Sequence, residues 1–359
     1  MKATIAVALS GGVDSLVAAH LLFRQGHAVI GLHFSTGFET AACKHCEDQS
    51  LLDQAEGRLA PISKQLNIPI KVFDFKEIFQ QNVIDYFVRT YQLGQTPNPC
   101  LVCNPIIKFD FLAKQARKLG AKGLATGHYA RRRQDEQGGW QLYKGIDSKK
   151  DQSYFLARLT QDQLAFARFP LGNMTKRDTI DLAQKTGLHP VTKEESQDIC
   201  FIANKDYGEF LAQQPGFRFA PGPIVDTNGK VIGTHPGLHR FTIGQRRGIN
   251  CPAAEPYYVV RLVPAQNCLV VGFKQALYRN GCNVTRISWI NAAPSTSFNA
   301  KVRVRYRHEE VAAEITLVNT SNATVRFETP QKAITPGQGA VFYQNDLVLG
   351  GGWITETFT

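Results

Sequence analysis

Apolar positions along this chain fall into two textures. Up to about residue 200, short apolar runs alternate with helical stretches; beyond it, strand-like runs are separated by Gly, Pro and Asn turns. Thr4–Leu9 (TIAVAL) is an almost continuous apolar run, as a buried parallel strand requires. Leu16–Phe23 reads as a helix with Arg24 in its last turn and Gly26 past its end, and His27–Phe34 reads as a second strand. This βαβ start predicts a doubly wound parallel-sheet α/β domain. Helical stretches near 50–66, 75–93 and 105–119 alternate with apolar runs at 68–73 and 123–126, and a helix over 176–186 ends at Gly187. Gly138-Gly139 marks a surface hairpin and Asn228-Gly229 another. The last ~75 residues carry strands at intervals suited to a small β-barrel or sandwich. The pattern predicts three units: an α/β domain over 1–205, a small central module over 206–283 and a C-terminal β-barrel over 284–359.

Composition changes this picture in one respect. The 359 residues are ordinary for a globular protein, but the formal net charge is +11, a surplus that favours a polyanionic partner. No apolar run approaches the length of a membrane span and no charged leader precedes the first strand, so a cytoplasmic protein is expected. In that compartment eight cysteines are thiols, metal ligands or catalysts before they are structural disulfides.

The turn Ser10-Gly11-Gly12-Val13-Asp14-Ser15 lies between the first strand and the first helix. Glycines there let the backbone approach an anion, and the helix N–H groups and dipole attract it. Asp14 is a candidate ligand for Mg2+, and Ser10 and Ser15 are candidate hydroxyl donors. The Walker lysine and spacing are missing, so transfer of a terminal phosphoryl group is not indicated. The segment resembles the PP-loop of ATP pyrophosphatases, which cleave ATP between its α and β phosphates.

Cys43 and Cys46 form one C-x-x-C pair, Cys100 and Cys103 another, and Cys200 follows Ser196-Gln197-Asp198-Ile199. Cys251, Cys268 and Cys282 read as small buried hydrophobes. Three chemistries suit the rest: a four-cysteine zinc site, a three-cysteine iron–sulfur cluster, or sulfur transfer by a persulfide and a resolving thiol. Spacing alone does not choose among them.

Taken together the motifs resemble the tRNA-specific 2-thiouridylases of the MnmA type over nearly the whole chain. They run from Ala8–Ser15 (ALSGGVDS) through Thr96-Pro97-Asn98-Pro99, Ala125–Arg131 (ATGHYAR), Lys150–Leu156 (KDQSYFL) and Ser196–Ile202 (SQDICFI). Phe241–Gly248 (FTIGQRRG), Ala333–Gln338 (AITPGQ) and Leu349–Gly352 (LGGG) complete them. The resemblance implies that ATP adenylates the C2 carbonyl oxygen of uridine 34 in a tRNA anticodon, and that a cysteine persulfide then supplies sulfur. It implies Cys103 as nucleophile and Cys200 as persulfide carrier, charged by a sulfur-relay donor protein. ATP contacts are implied at Ala8, Leu9, Ser10, Gly11, Gly12, Val13, Asp14, Ser15, Phe34 and Gly127. Substrate contacts are implied at Asn98, Pro99, Cys100 and His128, at Lys150, Asp151 and Gln152, and at Arg305, Tyr306 and Gln338. Two departures stand out. Many relatives have Asp where this chain has Cys100, which also completes a three-thiol set with Cys103 and Cys200 and keeps an iron–sulfur cluster open as an alternative. Thr40–Cys46 (TAACKHC) also departs from the family pattern. The rival reading, a PP-loop ligase of small metabolites, has no need of Cys103 and Cys200.

Overall fold

A computed structural model of the chain describes residues 2–38, 51–192, 199–202 and 206–359. Cys43, Cys46 and Ser196–Asp198 lie outside the described residues. The expected opening is present: β1 (Lys2–Ala8), α1 (Val13–Arg24) and β2 (His27–Ser35), with Gly26 at φ +84° turning the chain between helix and strand. After α2 (Leu51–Leu66) and β3 (Ile70–Asp74), the sheet is completed by β4 (Leu124–Ala125) and β7 (Ala167–Arg168), in the parallel order β3-β2-β1-β4-β7. A two-residue strand such as β7 offers no run long enough to be read in the sequence. Its place is fixed by pairing with β4 in the interior.

Between β3 and β4 the helical runs are not plain α-helices. One passes from Lys76–Phe79 through a π segment, Gln80–Ile84, to Asp85–Gln92. The other begins at Cys100–Cys103, continues as a π-helix over Asn104–Leu112 and closes as Ala113–Lys118. This second helix therefore starts before the expected residue 105 and carries the C-x-x-C pair in its first turn.

The Gly138-Gly139 hairpin joins β5 (Ala130–Gln134) to β6 (Trp140–Lys144). It is not confined to the α/β domain. β6 pairs with the last strand of the chain, Leu347↔Tyr143 and Val348↔Leu142. The central module is a four-stranded sheet of β8 (Gly222–Val225), β9 (Val231–His235), β10 (Tyr258–Val263) and β11 (Cys268–Gly272), around Ile224, Phe241, Ile249, Val259, Leu269 and Val271.

The C-terminal unit is a closed antiparallel barrel. Its strands are β12 (Tyr278–Trp289), β13 (Ser297–Arg303), β14 (Val311–Asn319), β15 (Asn322–Lys332), β16 (Gly339–Gln344) and β17 (Leu347–Phe358). The order β12-β15-β14-β13-β16-β17 closes through β12–β17, which leaves this ring without an open edge. β12 starts at Tyr278, so the barrel strand begins ahead of residue 284. Phe87, Leu101, Leu142, Leu156, Val341, Tyr343 and Trp353 share one core cluster, which welds barrel to α/β domain. Among the described residues no helix is long and apolar enough to cross a membrane.

Candidate active site

The phosphate loop leaves the carboxyl end of β1 and enters α1 with Gly12 as N-cap, where no side chain caps the helix. Its first N–H groups are therefore left for a ligand. Ser10 and Ser15 brace the turn: Ser15 Oγ accepts from Ser10 N at 3.2 Å and donates to Gly12 O at 3.0 Å. Gly11 holds φ +88°, and its carbonyl accepts from Val191 N at 3.0 Å and Thr192 N at 3.1 Å. The loop is thus tied to the segment leading towards Cys200. Gly127 closes the other side. A Cβ there would lie 2.9 Å from both the Asp14 carbonyl carbon and the Ser15 nitrogen, so only glycine fits.

Ala8 and Leu9 end the strand, with Leu9 N donating to Leu32 O at 2.8 Å. Leu9 O also accepts from His33 Nδ1 at 2.7 Å, while Arg58 donates to His33 Nε2 at 3.2 Å. A guanidinium only donates, so the imidazole hydrogen resides on Nδ1. Phe34, on the carboxyl half of β2, stacks with Phe75 at 5.6 Å and 22°.

Asp14 is half-exposed and engaged. Lys176 Nζ lies 2.8 and 2.9 Å from its two oxygens, and the Tyr129 hydroxyl donates to Oδ1 at 2.8 Å. A Mg2+ ion at this carboxylate would have to exchange with the lysine. Lys176 and Tyr129 were not singled out from the sequence as site residues; both reach Asp14 only through tertiary folding.

The second half of the site is the turn Thr96–Cys103. Asn98 is buried and its Oδ1 accepts from Leu101 N at 3.3 Å, while Cys103 N donates to Pro99 O at 2.8 Å. Cys100 and Cys103 keep some accessible surface but lie deep in the protein, and Cys200 is exposed. Burial pushes the Cys100 thiol up to about 11 and the Cys103 thiol up to about 12. Cys200 adds to both rises and Lys108 opposes them, so these four side chains share one electrostatic neighbourhood. Lys108 is five residues after Cys103. In an α-helix it would face away, but a π-turn, with its i→i+5 hydrogen bond, stacks residues five apart. No α-helical spacing in the sequence signals it.

His128 is buried against Phe109 and Phe169, its Nδ1 2.7 Å from Thr126 Oγ1. Burial first, then Lys108, hold it well below the ordinary histidine range, so it is neutral. Among the described residues no three His, Cys, Asp or Glu side chains come together as a metal-ligand set. Cys100, Cys103 and Cys200 are thus not gathered into such a set among the described residues.

The barrel supplies the rest. Gln338 Nε2 donates to Thr96 O at 3.1 Å and Pro97 O at 2.9 Å, Thr96 N donates to Pro336 O at 2.9 Å, and Tyr154 Oη donates to Gly339 O at 3.0 Å. The amide nitrogen of Gln338 is thus committed to holding the cysteine turn. Asp151 is 3% exposed and accepts from Gly145 N, Ser153 N, Ser153 Oγ and Arg303. Gln152 pairs with the Tyr129 backbone, accepting at 3.1 Å and donating at 2.9 Å. Lys150 is half-buried and Arg305 is exposed. Tyr306 packs on Phe155 at 4.4 Å, and Cys100 is among the groups that raise its phenol after burial and Asp151. Tyr306 thus brings the barrel close to Cys100, with Arg305 next to it in the chain.

A parallel α/β domain with an uncapped glycine loop, joined to two β modules, defines a phosphate-loop enzyme. Family models match the chain as a tRNA methyl transferase HUP domain over residues 3–204, a PRC-barrel domain over 208–273 and an aminomethyltransferase β-barrel domain over 279–354. A tRNA-specific 2-thiouridylase MnmA from Desulfosudis oleivorans is 51% identical, the match covering 98% of this chain and 94% of that protein. Another with that name, from Geotalea uraniireducens, is 46% identical over 98% and 94%. The chain belongs to the family of tRNA-specific 2-thiouridylases, which are tRNA-uridine 2-sulfurtransferases.

Proposed function

We propose that this chain uses ATP to adenylate the C2 carbonyl oxygen of the tRNA wobble uridine, U34, and replaces that oxygen with sulfur from a Cys200 persulfide. The products are 2-thiouridine, AMP and pyrophosphate. The phosphate loop binds the triphosphate; the uridine oxygen attacks the α-phosphorus and pyrophosphate leaves. The terminal sulfur of the Cys200 persulfide, delivered by a sulfur-relay donor protein, then attacks C2. Cys103 next attacks Cys200 Sγ and breaks the S–S bond. The sulfur stays on C2, AMP departs with the former carbonyl oxygen, and a Cys103–Cys200 disulfide remains for an external thiol to reduce. The observation that supports this reading is that Cys200 lies near enough to both Cys100 and Cys103 for its charge to oppose their ionisation.

The target base must leave the anticodon stack to reach a pocket this deep. Asn98, Pro99 and Cys100 line its floor in this reading, His128 lies behind them, and Lys150, Arg305 and Tyr306 meet the RNA at the rim. Lys108 is the cation that favours thiolates there. Mg2+ arrives with the nucleotide, offsetting its phosphate charge, and a cytoplasmic location goes with the substrate. Nucleoside mass spectrometry of tRNA incubated with the protein, ATP and a sulfur source tests the reading. Wild type should form 2-thiouridine, while Cys103→Ser and Cys200→Ser should form none and still bind ATP. A thiolating Cys200→Ser variant would sink the two-thiol route.

A further inference from the structure

The phosphate loop contains an apparent contradiction, a carboxylate where a polyanion is to bind. Asp14 stands in the first turn of α1, among the N–H groups that an anion would use. An unpaired carboxylate there would repel each phosphate. In the fold this carboxylate is paired. Lys176 holds both Asp14 oxygens, at 2.8 and 2.9 Å, with side chains 12% and 33% exposed respectively.

The lysine's own position is unfavourable unless that pairing matters. It is the first residue of the helix Lys176–Lys185, at the positive end of the helix dipole. Three features hold it there. Asp147 Oδ2 accepts the Lys176 backbone N–H at 2.9 Å, a Thr175–Asp178 capping box fixes the helix start, and Thr179, fully buried, lies 3.0 Å from the Tyr129 hydroxyl that also binds Asp14. Two helix starts are thereby brought together through the Lys176–Asp14 ion pair. A cation placed against its local dipole, with its partner in the ligand cradle, breaks a local rule in the way functional positions do.

We propose that Lys176 is the positioning residue that fits the phosphate loop to a nucleoside triphosphate, acting through Asp14 by neutralising its carboxylate. The proposal rests on the adenylation reading above. The Lys176 ammonium keeps the loop's net charge from opposing the ligand, and Tyr129 keeps the carboxylate turned towards the lysine.

Calorimetric binding of α,β-methylene-ATP to the full chain tests this, with thermal melts of each variant without nucleotide as the folding control. Lys176→Met should weaken binding roughly tenfold or more, raising the KM for ATP more than it lowers kcat, and Lys176→Arg should restore most of the loss. The double variant Asp14→Asn/Lys176→Met should bind better than Lys176→Met alone, because removing the carboxylate removes the need for the ammonium. Asp14→Asn alone should bind at least as well as wild type, and it carries the test if Lys176→Met does not fold. Unchanged binding by Lys176→Met, a double variant no better than that single one, or weaker binding by Asp14→Asn each overturns the proposal. A wild type that does not bind the analogue, or releases no pyrophosphate from ATP with tRNA, overturns the adenylation reading instead.

Discussion

The two halves of this site are prepared in opposite ways. The phosphate loop is set in advance: Gly12 leaves α1 uncapped, Gly127 sits tightly against Asp14 and Ser15, Gly11 against Val191 and Thr192, and the charge of Asp14 is already met by Lys176. The thiol pocket is held in reserve. Burial pushes Cys103 up to about 12, so at neutral pH it is a thiol and not a nucleophile. One half waits for a ligand, while the other waits for a change in its surroundings. In the proposed reaction this would keep Cys103 from attacking before the uridine has been activated.

The comparison can be broken first at Gly127. Gly127→Ala forces a methyl group within 2.9 Å of the Asp14 and Ser15 backbone, and kcat/KM for ATP-dependent thiolation should fall roughly a hundredfold. Cys103 alkylation should not change, and if it did the halves would not be separable. A smaller effect concerns the thiols. Iodoacetamide should modify Cys103 slowly at pH 7, accelerating about tenfold per pH unit towards its value of about 12. Rapid alkylation at neutral pH, with a plateau near the ordinary value of 9.0, would show the pocket to be open and primed. The same shift has a stability consequence of definite sign. Both Cys100 and Cys103 bind their protons more tightly in the folded chain, so stability should decline as pH rises from about 9 towards 11. The smallest effect is expected at Gln338. Gln338→Ala removes two hydrogen bonds to the Thr96 and Pro97 carbonyls, costing about 1 kcal/mol each. Denaturant melts should detect it, and kcat for sulfur transfer should fall less than tenfold with ATP affinity unchanged.

The barrel's part in the site shows why domain order is a poor guide to where residues act. Gly337, at φ +90°, lies against Thr96, and a Cβ there would sit 2.7 Å from the Thr96 oxygen. More than two hundred residues separate two segments that form one surface. Asp151 illustrates the converse. The family resemblance implies it as a substrate contact; in the fold it also closes an interior chain of charges through Arg303 and Glu310 to Lys144.

The sequence by itself determined the βαβ start, the phosphate loop, the Asn-Gly hairpin and the strand-rich last third. Each depends on local chemistry: apolar runs, glycines that permit tight turns, and residues that start or stop helices. Through the family resemblance, the motifs around Cys103 and Cys200 imply the two as partners, an expectation that the alkylation and thiolation experiments test. Tertiary structure alone decided that Lys176 meets Asp14, that Lys108 faces the thiols, and that β6 joins the barrel sheet. A cation's partner depends on which helix start comes to rest beside it, and a π-turn shifts a side chain to a face that α-helical spacing would deny it. Such outcomes follow from packing between distant segments, and no local pattern records them.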